Sequence, residues 1–181
     1  MMEKYALMKV IKSIIRLRNE FSIRETAKKI SVSPSTAKEA LDFLLTQSIL
    51  QKRIVGKNHL FNVNDSFLTR QIKRLYSLAE LNSAKIVEEI LKKDSNILSI
   101  LVYGSVASGI DYEDSDIDML IISRKPVKIP ELKGEALINR EITIIAYSHN
   151  EWREKAIKDK AFYINVISNC IPLYGEVPIV I

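Results

Sequence analysis

Two aspartates separated by a single residue, Asp116 and Asp118, begin an apolar run that continues through Ile122. In a β-strand, residues i and i+2 point to the same face, so this spacing predicts two carboxylates side by side. Adjacent carboxylates repel each other and cost stability unless a cation lies between them. Hard oxygen ligands of this kind suit Mg²⁺. The pattern therefore indicates a magnesium site at the start of a strand.

A second apolar run, from Ile97 to Tyr103, has β-strand character and passes directly into Gly104 and Ser105. A Gly-Ser turn where a strand gives way to a helix presents backbone amides and a hydroxyl, which is an anion-binding geometry. Together with the paired carboxylates, this turn predicts a site for a metal-bound polyphosphate. Phosphoryl-type transfer is the chemistry that metal ions support at such a site.

The stretch LVYGSVASGIDYEDSDIDMLII, residues 101–122, resembles the minimal nucleotidyltransferases of the DNA polymerase β superfamily. Their motif is a strand, Gly-Ser, a spacer of about ten residues, and Asp-x-Asp on the next strand. The resemblance implies that Gly104 and Ser105 hold the β- and γ-phosphates of an NTP. It also implies that Asp116 and Asp118 bind the catalytic and nucleotide Mg²⁺ ions. The spacer acids are expected to be solvated loop charges rather than ligands; they are Asp111, Glu113 and Asp114.

That family places a third carboxylate on a later strand, where it helps to activate the attacking hydroxyl. The corresponding run here extends from Arg140 to Tyr147, and within it Glu141 and Thr143 share a face. If the register follows the apolar residues, Thr143 takes the position of the carboxylate and Glu141 lies one pleat earlier. Glu141 has the longer side chain and is a candidate catalytic residue, with a salt-bridging role as the alternative.

The first 65 residues show a different pattern. Apolar residues recur at helical spacing over residues 4–18, and Ser22 opens a second helix with a capping box. Pro34 is placed at the first position of a third helix, capped by the serine before it. Two short apolar runs, 50–55 and 59–63, are joined by Gly-Lys-Asn, which predicts a hairpin.

This segment resembles the winged helix-turn-helix family over SIRETAKKISVSPSTAKEALDFLLTQSILQKRIVGKNHLFNVN, residues 22–64. Up to Asn64 there are twelve Lys and Arg against five acidic residues, and this excess favours DNA as a partner. The resemblance implies that residues of the third helix face bases or phosphates, namely Ser35, Thr36 and Lys38. It implies backbone contacts from the hairpin residues Arg53, Lys57 and His59. The alternative is a winged helix that makes only protein contacts.

The predicted fold class is α+β. A winged helix-turn-helix domain of three helices and a hairpin (1–65) precedes a helical linker (66–93), which breaks near Asn82. A nucleotidyltransferase-like domain (94–181) follows, with a mixed β-sheet flanked by helices. The linker is also a candidate dimer face.

The composition indicates the cellular compartment in which the protein is expected. No apolar run approaches the roughly 20 residues that a membrane span needs. The single cysteine cannot form an internal disulfide, and two histidines do not supply a Cys/His metal cluster. These features favour a reducing cytoplasm and no membrane.

Two functions follow as hypotheses. The first is a DNA-associated, Mg²⁺-dependent nucleotidyltransferase that moves a nucleoside monophosphate from an NTP to an acceptor hydroxyl. The second is a transcriptional regulator whose nucleotidyltransferase-like domain binds nucleotide without turnover. A partner protein as the acceptor is a third possibility, on which the sequence supports no choice.

Overall fold

The computed structural model describes residues 5–126, 128 and 131–180 of the 181-residue chain. The chain divides into two compact units, residues 1–73 and 74–181, and the division falls inside helix α4, Phe67–Ser83. The first unit contains a three-stranded sheet and the second a four-stranded mixed sheet, so the fold is α+β. Within the described ranges, no helix has the length and apolar character needed to cross a membrane.

Between residue 5 and the start of α4, the first unit has three helices and three short strands. The helices are α1 (Ala6–Ile14), α2 (Ile23–Ile30) and α3 (Pro34–Thr46), and the strands are β1 (Phe21–Ser22), β2 (Leu50–Val55) and β3 (Asn58–Val63). Strands β2 and β3 form the predicted antiparallel hairpin. Strand β1 adds to β3, and the rings of Phe21 and Phe61 stack with centroids 6.2 Å apart.

Capping explains where two of these helices begin. Ser22 and Glu25 form the predicted capping box at α2, and Ser33 accepts the Thr36 N–H in front of Pro34. The first helix is shorter than predicted. It ends at Ile14, because the Leu17 N–H bonds to the Ile14 carbonyl in a tighter three-residue turn. Residue 4, where the predicted helix began, lies outside the described residues.

The second unit is a sheet with helices on both faces. Its helices are α5 (Ile86–Lys93), α6 (Gly104–Ser108), α7 (His149–Lys158) and α8 (Lys160–Asn169), with a 3₁₀ helix at Lys133–Leu137. Its strands are β4 (Ile97–Tyr103), β5 (Ile117–Ser123), β6 (Ile142–Ser148) and β7 (Ile171–Tyr174). The spatial order is β6-β5-β4-β7, with β5 and β6 parallel and the other pairs antiparallel.

Alternation along β5 separates two cores. Ile117, Met119 and Ile121 face a core that also contains Ile86 and Ile90 of α5. Their neighbours Leu120 and Ile122 face the opposite side and form a second core with residues of α7 and α8, namely Trp152, Tyr163 and Val166. Each buried branched side chain contributes about 1.5–3 kcal/mol. The break between α4 and α5 lies next to Asn82, as predicted, and the second half of the predicted linker packs into the first of these cores.

The last residues of the chain close over the second core. The indole N–H of Trp152 donates to the Pro178 carbonyl at 2.7 Å, and the Val180 N–H donates to the Tyr163 hydroxyl oxygen at 2.7 Å. Trp152 is only 1% exposed. The segment after β7 is therefore part of the packed structure of the second unit.

Candidate active site

The turn after β4 is built on Gly104. Its φ of +71° lies in the left-handed region, which glycine adopts at little cost, and here the chain passes from β4 into α6. Helix α6 has five residues and ends where Gly109, at φ +70°, donates its N–H to the carbonyls of Ser105 and Val106. The two glycines therefore confine α6 to a short segment directly after the strand. Ser105 is half-buried in its first turn.

Asp118 lies against this turn. It pairs with Tyr103 across the antiparallel strands β4 and β5. A Cβ atom built on Gly104 would lie closer than 3.0 Å to the Oδ2 atom of Asp118. No side chain fits at position 104 unless this carboxylate moves. The structure therefore brings together Gly104 and Asp118, which the sequence indicated through two separate motifs.

The two aspartates interact electrostatically. Asp116 is exposed just before β5, and Asp118 is half-buried in the strand. Burial raises the pKa of Asp118 above its ordinary value, and the charge of Asp116 raises it further. Both effects disfavour the ionised form of Asp118. A cation between the two groups would relieve this cost.

The chemistry of these donors fits a cation that arrives with a nucleotide. Among the residues that the structure describes, no three Asp, Glu, His or Cys side chains are grouped so that they could hold a metal ion. Mg²⁺ is usually bound by one or two carboxylates together with substrate phosphates and water, and not by a cage of protein ligands. Two carboxylates beside a glycine turn suit this mode of binding.

Tyr103 lies beside Asp118 across the β4–β5 pairing, and sequence reasoning did not single it out. Burial, the charge of Asp118 and the neighbouring Tyr147 raise the pKa of Tyr103 to about 12. Its ring packs edge-on against Phe162, with centroids 5.9 Å apart. Tyr103 is therefore a buried aromatic neighbour of Asp118 in the sheet, and the charge of Asp118 opposes ionisation of its phenol.

The register of β6 places Thr143 directly beside Asp118 on the parallel strand β5. Glu141 precedes Ile142, which pairs with Ile117 of β5, so Glu141 lies level with Asp116. Its backbone carbonyl accepts the Ile117 N–H at 2.9 Å, and its side chain is exposed. Of the two alternatives, Thr143 is thus the lateral neighbour of Asp118, and Glu141 lies one pleat earlier.

The spacer loop before β5 is anchored by a buried ion pair. The Arg140 Nη1 atom lies 3.0 Å from the Asp111 Oδ2 atom, and the two side chains are 4% and 0% exposed. The expectation that Asp111 is a solvated loop charge is therefore wrong. Glu113 and Asp114 of the same spacer are exposed, as expected. Local sequence gives no signal for the pair, because its partners are 29 residues apart.

The predicted DNA-contacting residues of α3 lie near its amino end. Ser35 and Lys38 are exposed, and Thr36 is half-buried. The hydroxyls of Ser35 and Thr36 each lie 2.8 Å from the Ser33 hydroxyl, which caps the helix. The Lys38 Nζ atom lies 2.8 Å from Asp42. This end of the helix is therefore polar, hydrogen-bonded within itself and open to solvent.

The predicted hairpin contacts lie on β2, the turn and β3. Lys57 is exposed in the turn, and His59 is half-buried opposite Ile54. Arg53 is exposed and donates to both carboxylate oxygens of Glu20, at 3.0 and 2.6 Å. The negative charge of Glu20 therefore offsets part of the basic character of the hairpin.

Comparison with known protein families identifies part of the second unit. Residues 85–163 match the family model described as polymerase beta, nucleotidyltransferase. The matched part covers less than half of the chain and includes β4, the glycine turn, both aspartates and β6. No curated protein and no solved structure matches the chain. The match supports the predicted nucleotidyltransferase-like domain and points to nucleotidyltransferase activity.

Proposed function

We propose that this protein is a Mg²⁺-dependent nucleotidyltransferase that transfers a nucleoside monophosphate from an NTP to an acceptor hydroxyl. One observation carries the proposal. Gly104 and Asp118 are in contact within the segment that matches the polymerase beta nucleotidyltransferase model, and Asp116 lies close enough to raise the Asp118 pKa. A phosphate-binding turn and a pair of metal-binding carboxylates at one place are what this reaction requires.

The proposed roles follow from the donor groups. Asp116 and Asp118 would hold Mg²⁺, and Gly104 and Ser105 would bind the β- and γ-phosphates through backbone amides and the serine hydroxyl. Bound Mg²⁺ would neutralise the charge of the triphosphate and polarise the phosphorus that is attacked. The protein would then contribute mainly by positioning the groups and by stabilising charge.

At the α-phosphorus the proposed reaction forms one bond and breaks one, and one proton is transferred. The acceptor oxygen bonds to the α-phosphorus, the bond to the bridging oxygen breaks, and pyrophosphate leaves. The proton of the acceptor hydroxyl passes to a carboxylate, for which we assign Glu141. It is exposed and lies level with Asp116, so its side chain is open to an acceptor.

The first unit would bring the enzyme to DNA. Three helices followed by an antiparallel hairpin, with a basic excess, support assignment as a winged helix-turn-helix. Recognition-helix contacts would come from Ser35, Thr36 and Lys38. Contacts to the DNA backbone would come from the hairpin residues Arg53, Lys57 and His59.

The test uses the full chain with Mg²⁺, NTPs labelled at the α-phosphorus, and acceptors that include short DNA and candidate partner proteins. Label should move to an acceptor, and Asp116→Ala or Asp118→Ala should lower the rate by at least about 100-fold. Glu113→Gln is the matched control, because it removes an exposed acid from the same spacer. Equal incorporation by wild type and the Asp116→Ala/Asp118→Ala double variant would contradict the proposal.

A second candidate function rests on Thr143. A threonine beside Asp118 leaves that position without a carboxylate. In a regulator that binds nucleotide without turnover, NTP would change the affinity for DNA while no labelled product forms. The same labelled incubation, combined with a DNA-binding titration with and without NTP, separates the two functions.

A further inference from the structure

Arg140 is buried where the spacer loop meets β5 and β6. Its Nη1 atom pairs with Asp111 at 3.0 Å, and both side chains are almost fully buried. A buried ion pair is costly to form, and leaving one partner alone is costlier still. The fold therefore keeps this guanidinium in one place between the loop and the sheet.

The same guanidinium also holds the backbone in front of β5. The Nε atom donates to the Ser115 carbonyl at 2.6 Å, and Nη2 donates to the Asp116 carbonyl at 3.4 Å. The planar fork of arginine suits several acceptors at fixed angles, which a lysine ammonium does not. Arg140 thus fixes the main chain of the residue that presents the outer carboxylate.

We propose that Arg140 is a positioning residue for the metal site: it holds the Ser115–Asp116 backbone so that the Asp116 carboxylate stays beside Asp118. This inference rests on the proposed function. Two carboxylates repel each other, so an unrestrained loop would let Asp116 swing away. The anchor at Asp111 prevents that movement and places one ligand ready for the cation.

The test measures metal affinity directly. Mn²⁺ is titrated into the full chain with α,β-methylene ATP, and free Mn²⁺ is followed by electron paramagnetic resonance. Arg140→Gln should weaken Mn²⁺ binding by about tenfold or more, as loss of an outer partner of a metal ligand typically does. Lys158→Gln is the charge-matched control, because it removes one positive charge from an exposed pair with Glu154 in the same unit.

A double variant separates positioning from stability. Arg140→Gln alone removes the guanidinium that pairs with the buried Asp111, so the melting temperature of this variant should fall. Asp111→Asn/Arg140→Gln also removes the Asp111 charge and should recover much of the melting temperature, while Mn²⁺ binding stays weak. Arg140→Lys should recover some stability through Asp111 but only part of the Mn²⁺ affinity.

Each result decides the inference. Wild-type Mn²⁺ affinity in Arg140→Gln, or affinity that recovers together with stability in the double variant, overturns the positioning role and leaves the proposed function standing. A wild-type chain that binds no Mn²⁺ with the nucleotide overturns the proposed function, and the inference falls with it. Weak Mn²⁺ binding in a stable double variant supports both.

Discussion

The Cα atom of Gly104 and the carboxylate of Asp118 are packed so closely that a methyl group at position 104 would meet the Oδ2 atom. The left-handed backbone of Gly104 adds a second reason why a side chain is disfavoured. A side chain at position 104 is therefore disfavoured both by the backbone conformation and by the contact with Asp118.

Gly104→Ala should therefore displace Asp118 and abolish nucleotidyl transfer. The left-handed backbone alone costs about 1–2 kcal/mol for alanine, and the collision adds to this. Gly56→Ala is the matched control, since Gly56 has φ +61° but nothing lies within 4 Å of its added Cβ. Labelled-NTP incorporation and thermal denaturation measure both effects. Full activity in Gly104→Ala would show that the carboxylate does not need this contact.

Asp118→Asn should separate stability from activity. The folded-state pKa of Asp118 is raised, so the folded chain binds a proton more readily than the unfolded chain. Wild-type stability should then fall as the pH rises from the ordinary aspartate range through the raised pKa. The Asp118→Asn variant lacks this loss. Without metal, its melting temperature at neutral pH should therefore be higher than that of wild type, and it should be inactive. Melting temperatures across a pH series test this, and parallel curves for the two proteins would contradict it.

Glu141→Gln should lower kcat by about 100-fold or more, the usual contribution of a general base. The affinity for Mn²⁺ and nucleotide should change little, because Asp116 and Asp118 hold the metal in our proposal. Thr143→Val is the companion variant, since it removes the hydroxyl beside Asp118 and keeps the shape. Unchanged kcat in Glu141→Gln would remove Glu141 from the reaction and leave the enzymatic proposal without its assigned general base.

Arg53→Ala should weaken binding to duplex DNA. The slope of log K against log salt should become less steep by about 0.9, which is the contribution of one phosphate contact. Glu20→Gln should strengthen binding, because it releases Arg53 from the carboxylate that now engages it. Lys158→Gln, which lies in the other unit, controls for the loss of one positive charge. Fluorescence anisotropy over a salt series gives the slopes, and identical slopes for wild type and Arg53→Ala would contradict the contact.

Local patterns were sufficient for much of the fold. The capping box of Ser22 and Glu25, the proline at the start of α3 and the hairpin around Gly56 each depend on neighbours within a few residues. The Gly-Ser turn and the two aspartates were found for the same reason. Their contact needed only one antiparallel pairing, between β4 and β5.

Features that depend on distant partners could not be found this way. Asp111 lies in an acidic spacer, and nothing near it indicates that Arg140 will bury it. Period-two alternation puts Glu141 and Thr143 on one face, but it does not set which of them lies beside Asp118. That choice depends on the parallel register between β5 and β6, which is a tertiary property. The pairing of Arg53 with Glu20 spans 33 positions and was equally hidden.

The burial of Trp152 in the second unit gives this chain an internal reporter. It is the single tryptophan of the sequence, and its indole bonds to the Pro178 carbonyl. Selective excitation of tryptophan will therefore follow the second unit alone, while the first contributes no signal. Emission should shift to the red when that unit opens, and comparing this transition with the loss of helical circular dichroism from the whole chain reveals whether the two units melt in one transition or in two.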